Sequence, residues 1–288
     1  MQVLSEFINS YFLWKDPMVV AVFSGAICGM LGVFIVLRRI VFVSAALTQI
    51  SGFGVVLTFY LQSVFASSIL THLDPFIFSI LITILAALFF SLKKDFHPIS
   101  AEGVIGFAFL ISSSLIIILS DKIVQGHHEI HNILFGSAVV VESREVLIIP
   151  LLTVIAFIIN IFFYKDFVFV SYDHETAKLY NYPVTIINLI FFIVLAVILA
   201  VTTRALGALT VFSFLVLPAL SAIYLSRSLK NIFFLSSIFG IISAALGYFF
   251  SFVFSIPTGA TMAFTASIIF IVSFILSEMK KNDYLINI

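Results

Sequence analysis

The run Val184-Thr-Ile-Ile-Asn-Leu-Ile-Phe-Phe-Ile-Val-Leu-Ala-Val-Ile-Leu-Ala-Val-Thr-Thr203 contains no charged side chain. A helix of about 20 apolar residues spans the hydrocarbon core of a bilayer. In lipid, each backbone N–H and C=O must be satisfied by protein, and a helix does this within one segment. A transmembrane barrel would show segments of about ten residues alternating apolar and polar. The chain shows no such alternation. The fold class is therefore all-α: a polytopic transmembrane helical bundle.

Similar runs recur on both sides. They predict nine spans, at 17–37, 40–62, 75–92, 99–120, 145–163, 184–203, 207–225, 231–251 and 259–276. If the tight connections at Arg38-Arg39 or Arg204-Ala-Leu206 join two segments into one bent or re-entrant unit, the count is eight. Composition agrees: 62% of residues are hydrophobic, 10% are charged, and mean hydropathy is +1.25. A water-soluble domain has no way to cover that much apolar surface, so membrane lipid is an implied neighbour.

Residues 1–16 lack the basic start and small-residue cleavage site of a signal peptide. Val3, Leu4, Phe7, Ile8, Tyr11 and Phe12 are spaced as on an amphipathic surface helix, although a frayed terminus fits as well. Residues 17–277 form the transmembrane part, with a cytoplasmic segment at 166–183, and residues 278–288 are a tail.

Basic side chains set the sidedness. Ten of them, Arg38, Arg39, Lys93, Lys94, Lys165, Lys178, Arg227, Lys230, Lys280 and Lys281, follow odd-numbered spans, against four on the other side. Cytoplasmic loops carry the excess of Lys and Arg, so odd spans end in the cytoplasm. The C-terminus is then inside. Lys+Arg and Asp+Glu balance at 14 each, so no charge excess points to nucleic acid. Lone Cys28, in an apolar run, reads as packing rather than as a nucleophile or ligand.

No phosphate-binding Gly-x-x-x-x-Gly-Lys-Ser/Thr loop, His-Glu-x-x-His or Gly-x-Ser-x-Gly motif is present. Enzymatic chemistry on this chain is not expected, and neither is a bound cofactor. Ionisable residues inside spans usually mark ion or proton paths. Glu102 is the clearest case, and it reads either as a gate or relay residue or as an interfacial carboxylate.

Four stretches carry a family resemblance. They are Thr203-Arg-Ala-Leu-Gly-Ala-Leu-Thr-Val-Phe-Ser-Phe-Leu-Val-Leu-Pro-Ala-Leu-Ser-Ala222, Ile256-Pro-Thr-Gly-Ala-Thr261, Tyr172-Asp-His-Glu-Thr-Ala-Lys-Leu-Tyr-Asn-Tyr-Pro183 and the shorter Leu134-Phe-Gly136. In this order they resemble the integral-membrane permease of manganese, zinc and iron ABC importers. The resemblance implies a type II ABC importer-like permease of the bacterial inner membrane. It implies as partners ABC ATPase subunits that bind the ATP, an extracytoplasmic metal-binding protein, and a second permease in a homo- or heterodimer. A stand-alone secondary carrier or channel is the alternative. It would need coupling-ion groups or inverted-repeat halves, and neither is seen.

The segment 173–180 reads locally as a short helix. Asp173 is a good N-cap, Glu175 suits the positive end of the dipole, and Lys178 suits the negative end. Asn181 tolerates the left-handed conformation that ends a helix, and Tyr182-Pro183 forbids continuation. The resemblance makes this the coupling helix that sits in a cleft of the ATPase, with Asp173, Glu175, Ala177, Asn181 and Pro183 as its marked positions. A connector on the membrane surface is the plainer reading. In the seventh span, Pro218 should kink the helix and Gly207 should let helices approach closely.

The second span, Ile40-Val-Phe-Val-Ser-Ala-Ala-Leu-Thr-Gln-Ile-Ser-Gly-Phe-Gly54, departs from the family. Members resembling it carry Asp and His four residues apart, on one helix face, where this chain has Ala45 and Gln49. The resemblance places Ala45, Thr48, Gln49, Ser51, Gly52 and Gly54 along the translocation path. An amide and hydroxyls are poor ligands for a transition metal. A second permease that supplies the ligands, a metal complex as cargo, and a permease that has lost transport each account for this. Thr48, Gln49 and Ser51 also read as polar glue between helices.

His127, His128, Glu129 and His131 cluster in the long outer connection. Imidazole and carboxylate bind zinc or manganese, so a metal-collecting mouth is one reading. A polar loop is the other.

Overall fold

A computed structural model describes residues 10–65, 74–92, 100–123, 141 and 143–286. Among these residues every regular element is a helix. They are α1 (Tyr11–Leu37), α2 (Val41–Val64), α3 (Pro75–Leu92), α4 (Ala101–Lys122), α5 (Ser143–Phe162), α6 (Tyr164–Tyr172), α7 (His174–Leu179), α8 (Val184–Leu206), α9 (Ala208–Leu225), α10 (Leu229–Phe254) and α11 (Thr258–Ile286). Nine of these described helices, all but α6 and α7, are long and apolar enough to cross a membrane. The count is thus nine rather than eight.

The two doubtful connections are genuine breaks. Helix α1 ends with Arg39 in the left-handed region at φ 58°, while the N–H groups of Arg39 and Ile40 close on the carbonyls of Val36 and Ile35. That pairing caps the last free carbonyls before α2 begins. Between α8 and α9 the only residue is Gly207, at φ 86° and ψ 153°. Backbone there is essentially restricted to glycine. Gly207 therefore makes the corner. Arg204 is likewise not in a loop but in the last turn of α8.

Helix α1 lies at the centre, packed on α10, α9 and α5. Small residues make the crossing possible. A Cβ added at Gly25 would fall on the Gly240 carbonyl, one at Gly29 on the Ser236 carbonyl, and one at Gly32 on the Leu215 carbonyl. The Ser236 hydroxyl donates to the Gly29 carbonyl across this contact. Small residues four apart let backbones meet in lipid, where dispersion and hydrogen bonds must hold helices together. Cys28 is fully buried here, as its apolar context indicated. The periphery shows the lipid-facing side: Phe107, Leu110, Leu147 and Phe162 are all strongly exposed.

Glu102 stands exposed in the first turn of α4, where Ser100 caps the helix by accepting from the Gly103 N–H. A carboxylate there meets the positive end of the helix dipole. Between α5 and α8 the structure holds one helix more than the single short helix expected: α6 precedes α7.

Candidate functional site

Two regions hold the polar groups that the sequence singles out. The first is a cleft of about 360 Å³ between α2, α4 and α9. Phe42, Ala45, Thr48 and Gln49 of α2 line one side, facing Phe109 and Phe212. Thr48 is buried and its hydroxyl donates to the Ala45 carbonyl at 2.9 Å, so its proton is already used. The Gln49 Oε1 atom is buried and has no hydrogen-bond partner among the described residues. An unpartnered buried acceptor is costly, on the order of 1–3 kcal/mol. The cleft is thus lined, between aromatic walls, by a glutamine whose buried oxygen lacks a donor among the described residues.

Ser51 and Gly54 do not join this cleft. On a helix with 3.6 residues per turn, Gly54 points roughly opposite to Ala45. The Ser79 hydroxyl of α3 donates to the Ser51 carbonyl at 2.9 Å, and the Ser51 hydroxyl lies 3.1 Å from that of Ser79. A Cβ at Gly54 would press on the Ser79 Cα at 2.9 Å. These two residues glue α2 to α3. Gly52 is buried and shares the helix face of Ala45.

The second region is the helical hairpin of α6 and α7 at the basic end of the bundle. Asp173 caps α7 by accepting from the Thr176 N–H at 2.9 Å. Hydrogen bonding from the Thr176 side chain, and then from the Thr176 N–H, holds the Asp173 carboxyl below its ordinary value. Asn181 sits at φ 53°, with the Asn181 and Tyr182 N–H groups bonded to the Lys178 and Ala177 carbonyls. This is the left-handed helix stop that the sequence signalled. Ala177 is fully buried, so it is the anchor of the hairpin rather than part of its outer surface. The outer surface belongs to Glu175, Leu179, Tyr180 and Asn181, all exposed, with Pro183 beside them.

Tertiary contacts missed by the sequence reading hold the hairpin down. The Tyr182 hydroxyl donates to the Asp166 carboxylate, and its ring packs edge-on against Phe169 at 5.4 Å. The hydrogen bond to Asp166 raises the Tyr182 pKa. Arg38, at the end of α1, donates from Nε to Ser171 of α6 and from a terminal nitrogen to Asn188 of α8, each at 2.8 Å. Its guanidinium lies 4.1 Å from the centre of the Phe191 ring. Below it, Phe34, Phe167 and Phe191 meet edge-to-face at 5.7–5.8 Å. Burial lowers the Arg38 pKa to about 10, so it stays charged at neutral pH. One cation thus ties together α1, α6 and α8. The signal available in the sequence was Asn188, a polar residue near the start of an otherwise apolar run.

At the opposite end Arg204 pairs with Glu145 of α5 at 3.4 Å and lies 5.6 Å from the Phe76 ring, while exposed Arg144 meets Asp74 at 3.3 Å. Among the described residues no group of three or more His, Cys, Asp or Glu is placed to hold a metal. His127, His128, Glu129 and His131, and Leu134-Phe-Gly136, lie outside the described residues.

A family model described as the ABC 3 transport family matches residues 10–277. The manganese transport system membrane protein MntC of Listeria monocytogenes is 26% identical over 275 residues, covering 96% of this chain and 94% of that protein. The manganese import system permease protein ScaB of Streptococcus gordonii is 24% identical over 282 residues, covering 97% and 98%. Among solved structures, PsaBC from Streptococcus pneumoniae in complex with Fab superposes with a TM-score of 0.81 at 26% identity, covering 94% of this chain and 95% of that one.

Proposed function

We propose a function from the premise that the chain belongs to the ABC 3 transport family. It is a multi-pass protein of the bacterial inner membrane. It acts as the permease subunit of an ATP-driven importer whose substrate is manganese or a closely similar divalent ion. ATP is bound and split on separate ATPase subunits, a binding protein delivers the ion from outside, and a second permease completes the path. The observation that carries this reading is the end-to-end similarity to manganese permeases.

The geometry supports a division of labour. Leu179 and Tyr180 stand exposed at the tip of the hairpin and offer apolar area to an ATPase cleft. Motion there passes through Arg38 into α1 and α8. The bundles then rock around a fixed site, exposing it alternately to each side. At the path, Gln49 brings a neutral amide where the family resemblance implies charge. Manganese favours oxygen ligands and water, whereas zinc favours imidazole and thiolate. A weakly held, hydrated ion leaves readily, which conduction requires.

The test is uptake of radiolabelled manganese into proteoliposomes containing this chain, its ATPase partner and its partner permease. Uptake should require ATP, and Gln49→Leu should lower it about tenfold, equivalent to about 1.4 kcal/mol. Equal uptake by the lone chain without ATP would identify a stand-alone carrier and end this reading.

A further inference from the structure

Helices α5 and α10 both pack on α1 and scarcely meet each other. The gap between them is a membrane-facing slot in two joined compartments of about 560 and 320 Å³, sharing Met30, Ile161 and Phe233. Both volumes lie within the roughly 300–1,000 Å³ typical of ligand sites. The larger compartment is floored by Ala26 and walled by Val154 and Phe234, whose exposed side chains face the surroundings. The smaller reaches the basic end of the bundle, where Asn160, Tyr164 and Lys230 line it.

The dimensions fit one occupant. Along α1 the slot runs from Val22 to Phe34, about 18 Å at 1.5 Å per residue. Half of a hydrocarbon core about 30 Å thick is about 15 Å. The slot therefore rises from the cytoplasmic surface through one leaflet. Its mouth has the chemistry of a headgroup site. Lys230 is exposed in the first turn of α10, and Tyr164 packs its ring on Phe233 at 5.5 Å. Asn160 is 3% exposed, donates to the Ala156 carbonyl at 2.7 Å, and leaves its Oδ1 buried without a partner among the described residues.

We propose that this slot binds one anionic phospholipid of the cytoplasmic leaflet, of the phosphatidylglycerol type. An acyl chain lies along α1 against Ala26 and Met30. The phosphate meets Lys230 and the Tyr164 hydroxyl, and a headgroup hydroxyl donates to Asn160 Oδ1. Basic pockets between helices on the cytoplasmic side favour such headgroups. The bound chain fills the gap that α5 and α10 leave over α1.

Native mass spectrometry of the purified full-length chain, delipidated and then titrated with defined lipids, tests this. One phosphatidylglycerol per chain should be retained in preference to phosphatidylethanolamine. Lys230→Gln should lower retention about fivefold, the contribution of one basic residue near an anionic headgroup. Ala26→Phe should abolish retention by filling the floor. Equal retention by Lys230→Gln, or equal retention of phosphatidylethanolamine, overturns the headgroup assignment. Competition by soluble glycerol phosphate as strong as by the intact lipid overturns the acyl slot. A photo-crosslinker at Phe234 that captures a polypeptide, rather than lipid, overturns the choice of occupant.

Discussion

Replacing Arg38 by Met removes a side chain that joins α1, α6 and α8 through polar contacts. Two hydrogen bonds from a charged donor are worth about 1.5–3 kcal/mol each, so about 3–6 together. Stacking on Phe191 adds about 1 kcal/mol. Burial opposes these gains. A fall in pKa from 12.5 to about 10 represents about 3 kcal/mol at 1.36 kcal/mol per pKa unit. One terminal nitrogen of Arg38 is also buried without a partner among the described residues. The balance is about 1–4 kcal/mol in favour of the docked hairpin, centred near 2. At 1.4 kcal/mol per factor of ten, its undocked population should rise about 30-fold.

Hydrogen exchange measured by mass spectrometry reads this directly. Peptides from residues 164–182 should exchange about 30-fold faster in Arg38→Met, while the α1–α10 contact around Gly25 and Gly240 stays protected. Arg38→Lys keeps the charge but lacks the planar fork, so it should fall between. If the chain works as proposed above, with an ATPase partner, metal moved per ATP should drop more than ATP hydrolysis itself. Unchanged exchange in residues 164–182, or equal acceleration across every span, would refute the claim that Arg38 holds the hairpin to the bundle.

Three further outcomes follow from other contacts. Gly240→Ala places a methyl on the Gly25 carbonyl. Overpacking of this kind costs about 1–3 kcal/mol, visible as a lower melting temperature in detergent, and an unchanged melt would remove the close crossing from the argument. Glu145→Gln breaks a largely buried ion pair with Arg204 and should cost about 3–5 kcal/mol, with the double variant Glu145→Gln/Arg204→Gln milder than the single one; additivity of the two would contradict this. The Asp173 carboxyl has a lowered pKa, so its cap is fully present above the unfolded carboxylate value of about 3.9 and is lost as pH falls through the lower folded value. The Thr176 amide should lose protection over that acidic window in the wild type, and Asp173→Asn should flatten the dependence.

The short helix α7 was legible residue by residue, because caps act within a few positions. Asp173 and Asn181 occupy in the structure the cap and the left-handed stop that their chemistry indicates. Ala177 was legible as a member of the motif but not in its direction. A helix position marks a face, and only the surrounding bundle makes that face the buried one. Ser51 and Gly54 show the same limit. Both sit in a stretch read as path, yet α3 passes close enough to take them as packing. The join between α8 and α9 was expected at Arg204-Ala-Leu206 and falls just after it, at Gly207, in a backbone conformation that glycine alone accepts.

By itself the sequence determined that this chain lives in a membrane, to within one span how many times it crosses, which end is basic, and where the short helix α7 starts and stops. Hydropathy, charge counts and capping are local or additive, so no neighbour has to be known. The tertiary structure alone decided which polar groups meet. Arg38 reaches Ser171 and Asn188 across separations of 133 and 150 residues, and the slot over α1 exists because α5 and α10 stand apart. Such features depend on which helix faces come together, and in a chain whose helices are apolar nearly all round, periodicity does not say which face that is.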